Sequence, residues 1–158
     1  MKNGKWKTYL FWILLCEAVG ILAGLLTADG TQMYHMTVNK PALTPPGIVF
    51  PIVWTILYAL MGIGAARIHL APETKVQKRG ISLFVAQLIV NFFWPLFFFN
   101  LQAYGFSFFW LLLLWGLVLG MIVSFYKTDK LAALLQIPYL IWLTFAAYLN
   151  LGVWILNS

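Results

Sequence analysis

Three tryptophans, Trp54, Trp94 and Trp142, stand deep in apolar runs, and a few polar side chains accompany them at helical spacing. Phe50, Trp54 and Tyr58 recur at i, i+4 and i+8, so one helix face carries all three. Gln87, Asn91, Trp94 and Phe98 share a second face, beside a kink expected at Pro95. Trp142, Ala146, Leu149 and Asn150 share a third, with Tyr139 at its upper margin and Pro138 removing an internal hydrogen bond. Such faces offer stacking against flat rings and a small number of orienting hydrogen bonds. Gln87 and Asn91 either glue helices together or orient a ligand, and the space beside small Ala146 takes either a neighbouring helix or a flat ligand.

Glu17 lies among apolar residues, where a carboxyl group must face the bundle, a partner or water. It is read either as a carboxyl hydrogen-bonded to a neighbouring helix or as a proton-coupled or cation-binding group. Gly20 and Gly24 on its face form a G-x-x-x-G pair, repeated by Gly116 and Gly120, and both read first as packing surfaces. The chain shows no paired-carboxylate site, metal-ligand cluster, glycine-rich phosphate loop or Ser/His/Asp arrangement, and its four acids leave little room for hydrolytic chemistry. The single Cys16, inside an apolar run, offers neither a disulfide framework nor a cysteine metal site.

The elements that position these residues follow from composition. Of 158 residues, 63% are hydrophobic and 9% charged, which is the balance of an integral membrane protein. Five apolar windows are long enough to cross a bilayer as helices, at about 6–28, 46–70, 80–101, 104–126 and 131–156, so the fold class is an all-α membrane protein, a five-transmembrane-helix bundle in one domain. Only Gln102 and Ala103 separate the third and fourth windows, and only Lys127 to Lys130 the last two, which forces antiparallel neighbours. Unbroken apolar runs exclude the alternating strands of a barrel. The first run is read as a spanning helix flanked by Lys2, Lys5 and Lys7, with no cleavable signal peptide.

Nine of the ten basic residues then fall on one side, with Lys40 alone on the other. This predicts a cytoplasmic N-terminus and an outside C-terminus. Basic residues placed at helix ends are topology signals, so nucleic acid is not an expected partner despite a net charge of +6. The long connection 29–45 lies on the outer side as a lid. Pro41, Pro45 and Pro46 stiffen it, and the second helix is expected to begin near Pro46, with Trp54 directly below.

The segments KPALTPPGIVFPIVWTILY, QLIVNFFWPLFF and PYLIWLTFAAYLN, in this order, resemble the signature segments of the translocator protein or tryptophan-rich sensory protein (TspO/MBR) family, here a bacterial-type member. The resemblance implies a homodimeric five-helix receptor of the bacterial cell membrane, with a pocket opening toward the first connection. The implied ligands are porphyrins, haem and hydrophobic drug-like molecules; no cofactor is required, a tetrapyrrole being ligand or substrate. It carries pocket roles onto Trp54, Asn91, Trp142 and Ala146, and makes Trp54 and Trp142 the catalytic candidates if the protein degrades porphyrin by light-dependent oxidation. Aligned on Lys40 and Pro41, Tyr34 and His35 occupy the positions of the lid's aromatic pair, and His35 has the chemistry of a haem ligand. Pro45, Phe50, Tyr58, Gln87, Trp94, Tyr139 and Asn150 complete the expected ligand site, with Lys40 placed to pair with a propionate or to stay solvated.

Two departures stand out. Leu43 occupies the place of the tryptophan usual two residues before the proline pair. No basic residue follows Tyr148, so the cholesterol motif of animal members is absent and cholesterol is a doubtful partner. A receptor or sensor, with transport or porphyrin breakdown as an added role, is therefore the leading expectation, ahead of a photo-oxidative enzyme and of a proton-coupled multidrug exporter working through Glu17.

Overall fold

Inside a bilayer every backbone N–H and C=O must find its partner within the chain, and the five apolar windows satisfy that demand as α-helices. The computed structural model describes the backbone of residues 2–158 and the side chains of residues 4–158; the side chain of Lys2 lies outside the described residues. The elements in order are α1 (Lys2–Leu26), α2 (Ala28–Thr37), α3 (Val49–His69), α4 (Lys75–Pro95) continuing into a π-turn (Leu96–Asn100), α5 (Tyr104–Thr128), α6 (Lys130–Leu134) and α7 (Ile137–Leu156). Helices α1, α3, α4 with its π-turn, α5, and α6 with α7 form the five candidate membrane spans, and the protein is a multi-pass membrane protein.

The expected lid loop is half helix. All the prolines of the connection sit at 41–46, so nothing prevents residues 28–37 from coiling, and Asp29 favours the first turn of α2 electrostatically. Thr27 makes the bend between α1 and α2 by turning its hydroxyl back onto the Ala23 carbonyl at 2.8 Å. Helix α3 starts at Val49 rather than at Pro46, after a turn in which the Val49 amide donates to the Pro46 carbonyl at 3.0 Å. Pro51 then occupies the first helical turn, where its missing N–H has no intrahelical partner to lose. Helix α4 starts earlier than expected because Thr74 caps it, its side chain accepting from the Gln77 amide at 3.0 Å.

The two prolines expected to kink helices each do more. After Pro95 the ladder switches to i→i+5 bonding, the Leu101 amide donating to Leu96 O at 3.1 Å. Pro138 does not interrupt one long helix but opens a second: α6 ends at Leu134, and α7 begins with Pro138 in its first turn. Gln136 fills the break, its Nε2 donating to the Leu60 carbonyl at 3.0 Å and so tying the hinge to α3.

Eight of the basic residues, Lys5, Lys7, Arg67, Lys75, Lys78, Arg79, Lys127 and Lys130, fall at one end of the bundle. The half nearest that end is a packed plug in which Met61, Ala65, Phe84, Met121 and Phe125 are fully buried. Close approach of α1 and α3 rests on Gly62, where a Cβ would meet the Ile13 backbone at about 2.5 Å. The other half, under α2, is not filled.

Candidate functional site

The unfilled half is a cavity of about 490 Å³, within the ~300–1,000 Å³ usual for small-molecule sites. Its walls come from α1, α3, α4, α5 and α7, and α2 roofs it. The lining residues that stay exposed include Ile21, Gly24, Ala28, Pro51 and Thr55, so the cavity opens between the outer halves of α1 and α3.

Phe50, Trp54, Tyr58, Asn91, Trp94, Trp142, Ala146 and Asn150 all border this space, as do Tyr34 and His35 from the roof. The three aromatic faces expected from helical spacing therefore converge on one volume. Phe50 and Trp142 meet edge to face at 5.9 Å between ring centroids, bridging α3 and α7, and Trp54 packs on Tyr58 at 5.5 Å. The indole Nε1 of Trp142 is buried without a hydrogen-bond partner among the described residues.

Gln87 and Tyr139 do not line the cavity; they lie beneath it. Tyr58 Oη donates to Asn91 Oδ1 at 2.6 Å, Asn91 Nδ2 donates to Tyr139 Oη at 2.7 Å, and Tyr139 Oη donates to Gln87 Oε1 at 2.7 Å. This buried chain ties α3, α4 and α7 together, and only Tyr58 and Asn91 of its members reach the cavity wall. Buried polar groups are retained where they find partners, and here each amide meets a phenol. A second lock holds the wall near the roof: Trp94 Nε1 donates to Asn150 Oδ1 at 3.0 Å, and Asn150 Nδ2 donates to the Tyr104 carbonyl at 2.8 Å.

The roof is held by the π-turn. Tyr34 is buried against Phe98 and Phe99, with ring centroids at 5.5 and 5.2 Å. Burial, and secondarily nearby Tyr104, pushes its phenol up to about 12, so it stays protonated. Asn100 Nδ2 donates to the Leu26 carbonyl at 2.9 Å, satisfying the end of α1. His35 borders the cavity, and burial together with the Lys40 charge lowers its pKa from the ordinary value, favouring the neutral ring. Lys40 itself is engaged: its Nζ donates to the carbonyls of His35 and Val38 at 3.2 and 3.0 Å and sits 5.0 Å from the Tyr34 ring centroid. It caps α2, where the helix dipole favours a cation, and is not among the lining residues.

Pro45 also stays off the cavity wall. Leu43 is 80% exposed with φ 72°, a left-handed conformation that leucine adopts rarely, and it too stays off the wall. The segment carrying it is strapped to α7, where Tyr148 Oη donates to the Ala42 carbonyl at 2.7 Å and Asn157 exchanges two hydrogen bonds with the Asn39 backbone.

Glu17 lies on the α1 wall, half-buried, and Gly20 and Gly24 border the cavity about one and two turns further along the same helix. A Cβ at Gly20 would run into the Tyr58 ring, whereas Gly24 has open space before it, so the pair is one contact and one gap rather than a continuous packing seam. Gly116 has nothing near it and Gly120 only the tip of Leu83 at about 3.9 Å. Leu149 lines the cavity with the rest of its face, and Leu111, Leu114 and Leu143 line it without having been expected there, because leucines in an apolar run carry no signal that separates a cavity wall from a core.

The profile of the TspO/MBR family matches residues 12–155. The chain is 36% identical to the tryptophan-rich protein TspO of Chlorobaculum tepidum over 98% of its own length and 99% of that protein's. It is 31% identical to the tryptophan-rich sensory protein of Cereibacter sphaeroides, covering 98% of this chain and 94% of the relative. The human translocator protein is 33% identical over 89% of this chain and 85% of its own.

Proposed function

This chain belongs to the TspO/MBR family, and from that premise we propose that it is a membrane receptor or sensor binding porphyrin, haem or similarly flat hydrophobic ligands in the cavity under α2. One observation carries the reading: Trp54 and Trp142, from helices far apart in sequence, wall the same cavity of about 490 Å³, and the Trp142 N–H lies buried without a partner. A flat apolar ring fits between indoles, and an acceptor on the ligand would satisfy a donor whose orphaning costs about 1–3 kcal/mol. The carboxylates of a tetrapyrrole would lie at the mouth beside neutral His35 and the exposed end of α2. The basic end of the bundle is proposed to be cytoplasmic and the working unit a homodimer.

Tryptophan fluorescence tests this reading. Protoporphyrin should quench the protein saturably in detergent, and Trp54→Phe and Trp142→Phe should each weaken the quenching beyond the loss of one fluorophore. Unchanged affinity in both variants would place the ligand elsewhere.

A second reading, light-dependent breakdown of the bound porphyrin with oxygen as co-reactant, draws on the same two indoles. The ring absorbs the light, and the protein contributes placement. Illuminating the porphyrin complex of each Trp→Phe variant separates holding from reacting: bleaching slowed with binding retained supports the enzyme, whereas bleaching rates equal to wild type reject it.

A further inference from the structure

We propose that Glu17 makes part of this cavity a cation subsite, so that the ligand class it takes best is a flat aromatic carrying a protonated or quaternary nitrogen. The inference rests on the cavity being the ligand site and adds to that reading a charge preference.

Glu17 stands nine residues before the end of α1, about 14 Å below its outer terminus at 1.5 Å per residue. It lines the cavity, and no lysine or arginine among the described residues does. The ion pair found among the described residues joins Arg67 to Asp129 at the basic end, and Lys40 is committed to the carbonyls of α2. The other titratable side chains on the wall are Tyr34, Tyr58 and His35; the first two are buried phenols, and Tyr58 already spends its proton on Asn91. Among the described residues Glu17 is therefore the one acidic side chain of the lining, at a depth where an uncompensated charge is costly.

Two features make that carboxyl group usable. Gly24, two turns further along α1, borders the cavity with open space before it, so the wall above Glu17 carries no side chain at that position. The same cavity is lined by the rings of Phe50, Trp54 and Trp142, and π faces attract cations. An aromatic ring among the indoles with its cationic nitrogen toward α1 would meet both demands at once. A tetrapyrrole, by contrast, must keep its carboxylates away from this wall, which orients them to the mouth.

The test uses two probes of one shape, N-methylacridinium, permanently cationic, and acridine, uncharged at mildly alkaline pH. Both are titrated by tryptophan quenching into full-length protein in nanodiscs of zwitterionic lipid. Wild type should bind the cation about tenfold more tightly, a free-energy difference of about 1.4 kcal/mol. Glu17→Gln should bind both probes alike, and Glu17→Asp should keep part of the preference. Equal affinities in wild type, or a preference surviving in Glu17→Gln, would overturn the subsite while leaving the cavity intact as a site for neutral rings. Failure of acridine to bind wild type, or quenching indifferent to Trp54→Phe and Trp142→Phe, would instead overturn the cavity reading and the subsite with it. The wild-type comparison needs no variant to fold.

Discussion

Asn91 is the residue on which the cavity floor turns, because it accepts from one tyrosine and donates to another across three helices. Replacing it with leucine keeps the branched shape but leaves the Tyr58 hydroxyl buried without an acceptor, which costs about 1–3 kcal/mol. Asn91→Leu should therefore lower the melting temperature in detergent by several degrees. Adding Tyr58→Phe, which removes the orphaned hydroxyl, should recover part of that loss, since deleting both partners is cheaper than stranding one. A single variant that melts like wild type, or a double variant worse than the sum, would show that the chain of hydrogen bonds does not hold the floor. Trp142 presents the opposite case, a buried donor with no partner among the described residues, and ligand should stabilise the protein through it.

At the scale of elements, the roof is the part that can respond to conditions. Helix α2 docks on the π-turn through Tyr34, Phe98 and Phe99, and Gly30 lets it close: a Cβ there would press on the Phe99 carbonyl. His35 faces Gly47, Tyr34 and the Lys40 charge, and its pKa is lowered from the ordinary value by burial first and by Lys40 second. A histidine that is harder to protonate when docked contributes stability above its undocked pKa of ~6.5, and that stability is lost as pH falls through the lower docked value. Acidification from ~7.5 to ~5 should loosen the roof, read as faster proteolysis within residues 38–46, and His35→Gln should flatten the dependence. Proteolysis that is faster at the higher pH would reverse the assignment. The spans themselves could be read from sequence because a bilayer demands about twenty apolar residues per crossing. Helix α2 could not, since its polar residues beside a proline-rich stretch look like loop, and only docking on Phe98 and Phe99 fixes it as helix. Likewise Gln87 and Asn91 were visible as polar points on one face and Tyr139 on another. That Asn91 joins Tyr58 to Tyr139 depends on how three helices rotate against one another, which single-helix spacing does not encode. Gln136 had a signal, a lone amide two residues before Pro138, but its reach to Leu60 needs the tertiary arrangement.

For the whole molecule the division is between a packed basic half and an open aromatic half, and their sidedness decides which compartment the ligand comes from. Lys5, Lys7, Arg67, Lys75, Lys78, Arg79, Lys127 and Lys130 gather at the plug end, whereas at the roof end Lys40 is held by the carbonyls of His35 and Val38. Basic residues near span ends are retained on the cytoplasmic side, so the roof and the cavity mouth should face away from the cytoplasm. The exposed lining between α1 and α3 then also meets the outer leaflet, a direct path for an apolar ligand dissolved in lipid. Cysteine labelling settles the orientation cleanly, because the one native thiol, Cys16, is buried. In intact cells a membrane-impermeant maleimide should label Gln32→Cys on the exposed face of α2 and spare Lys78→Cys, and lysis should expose both. The reverse pattern would put the mouth in the cytoplasm, and labelling of both before lysis would mean mixed insertion. Only the first outcome lets an external or membrane-dissolved tetrapyrrole reach Trp54 and Trp142 without crossing the packed plug.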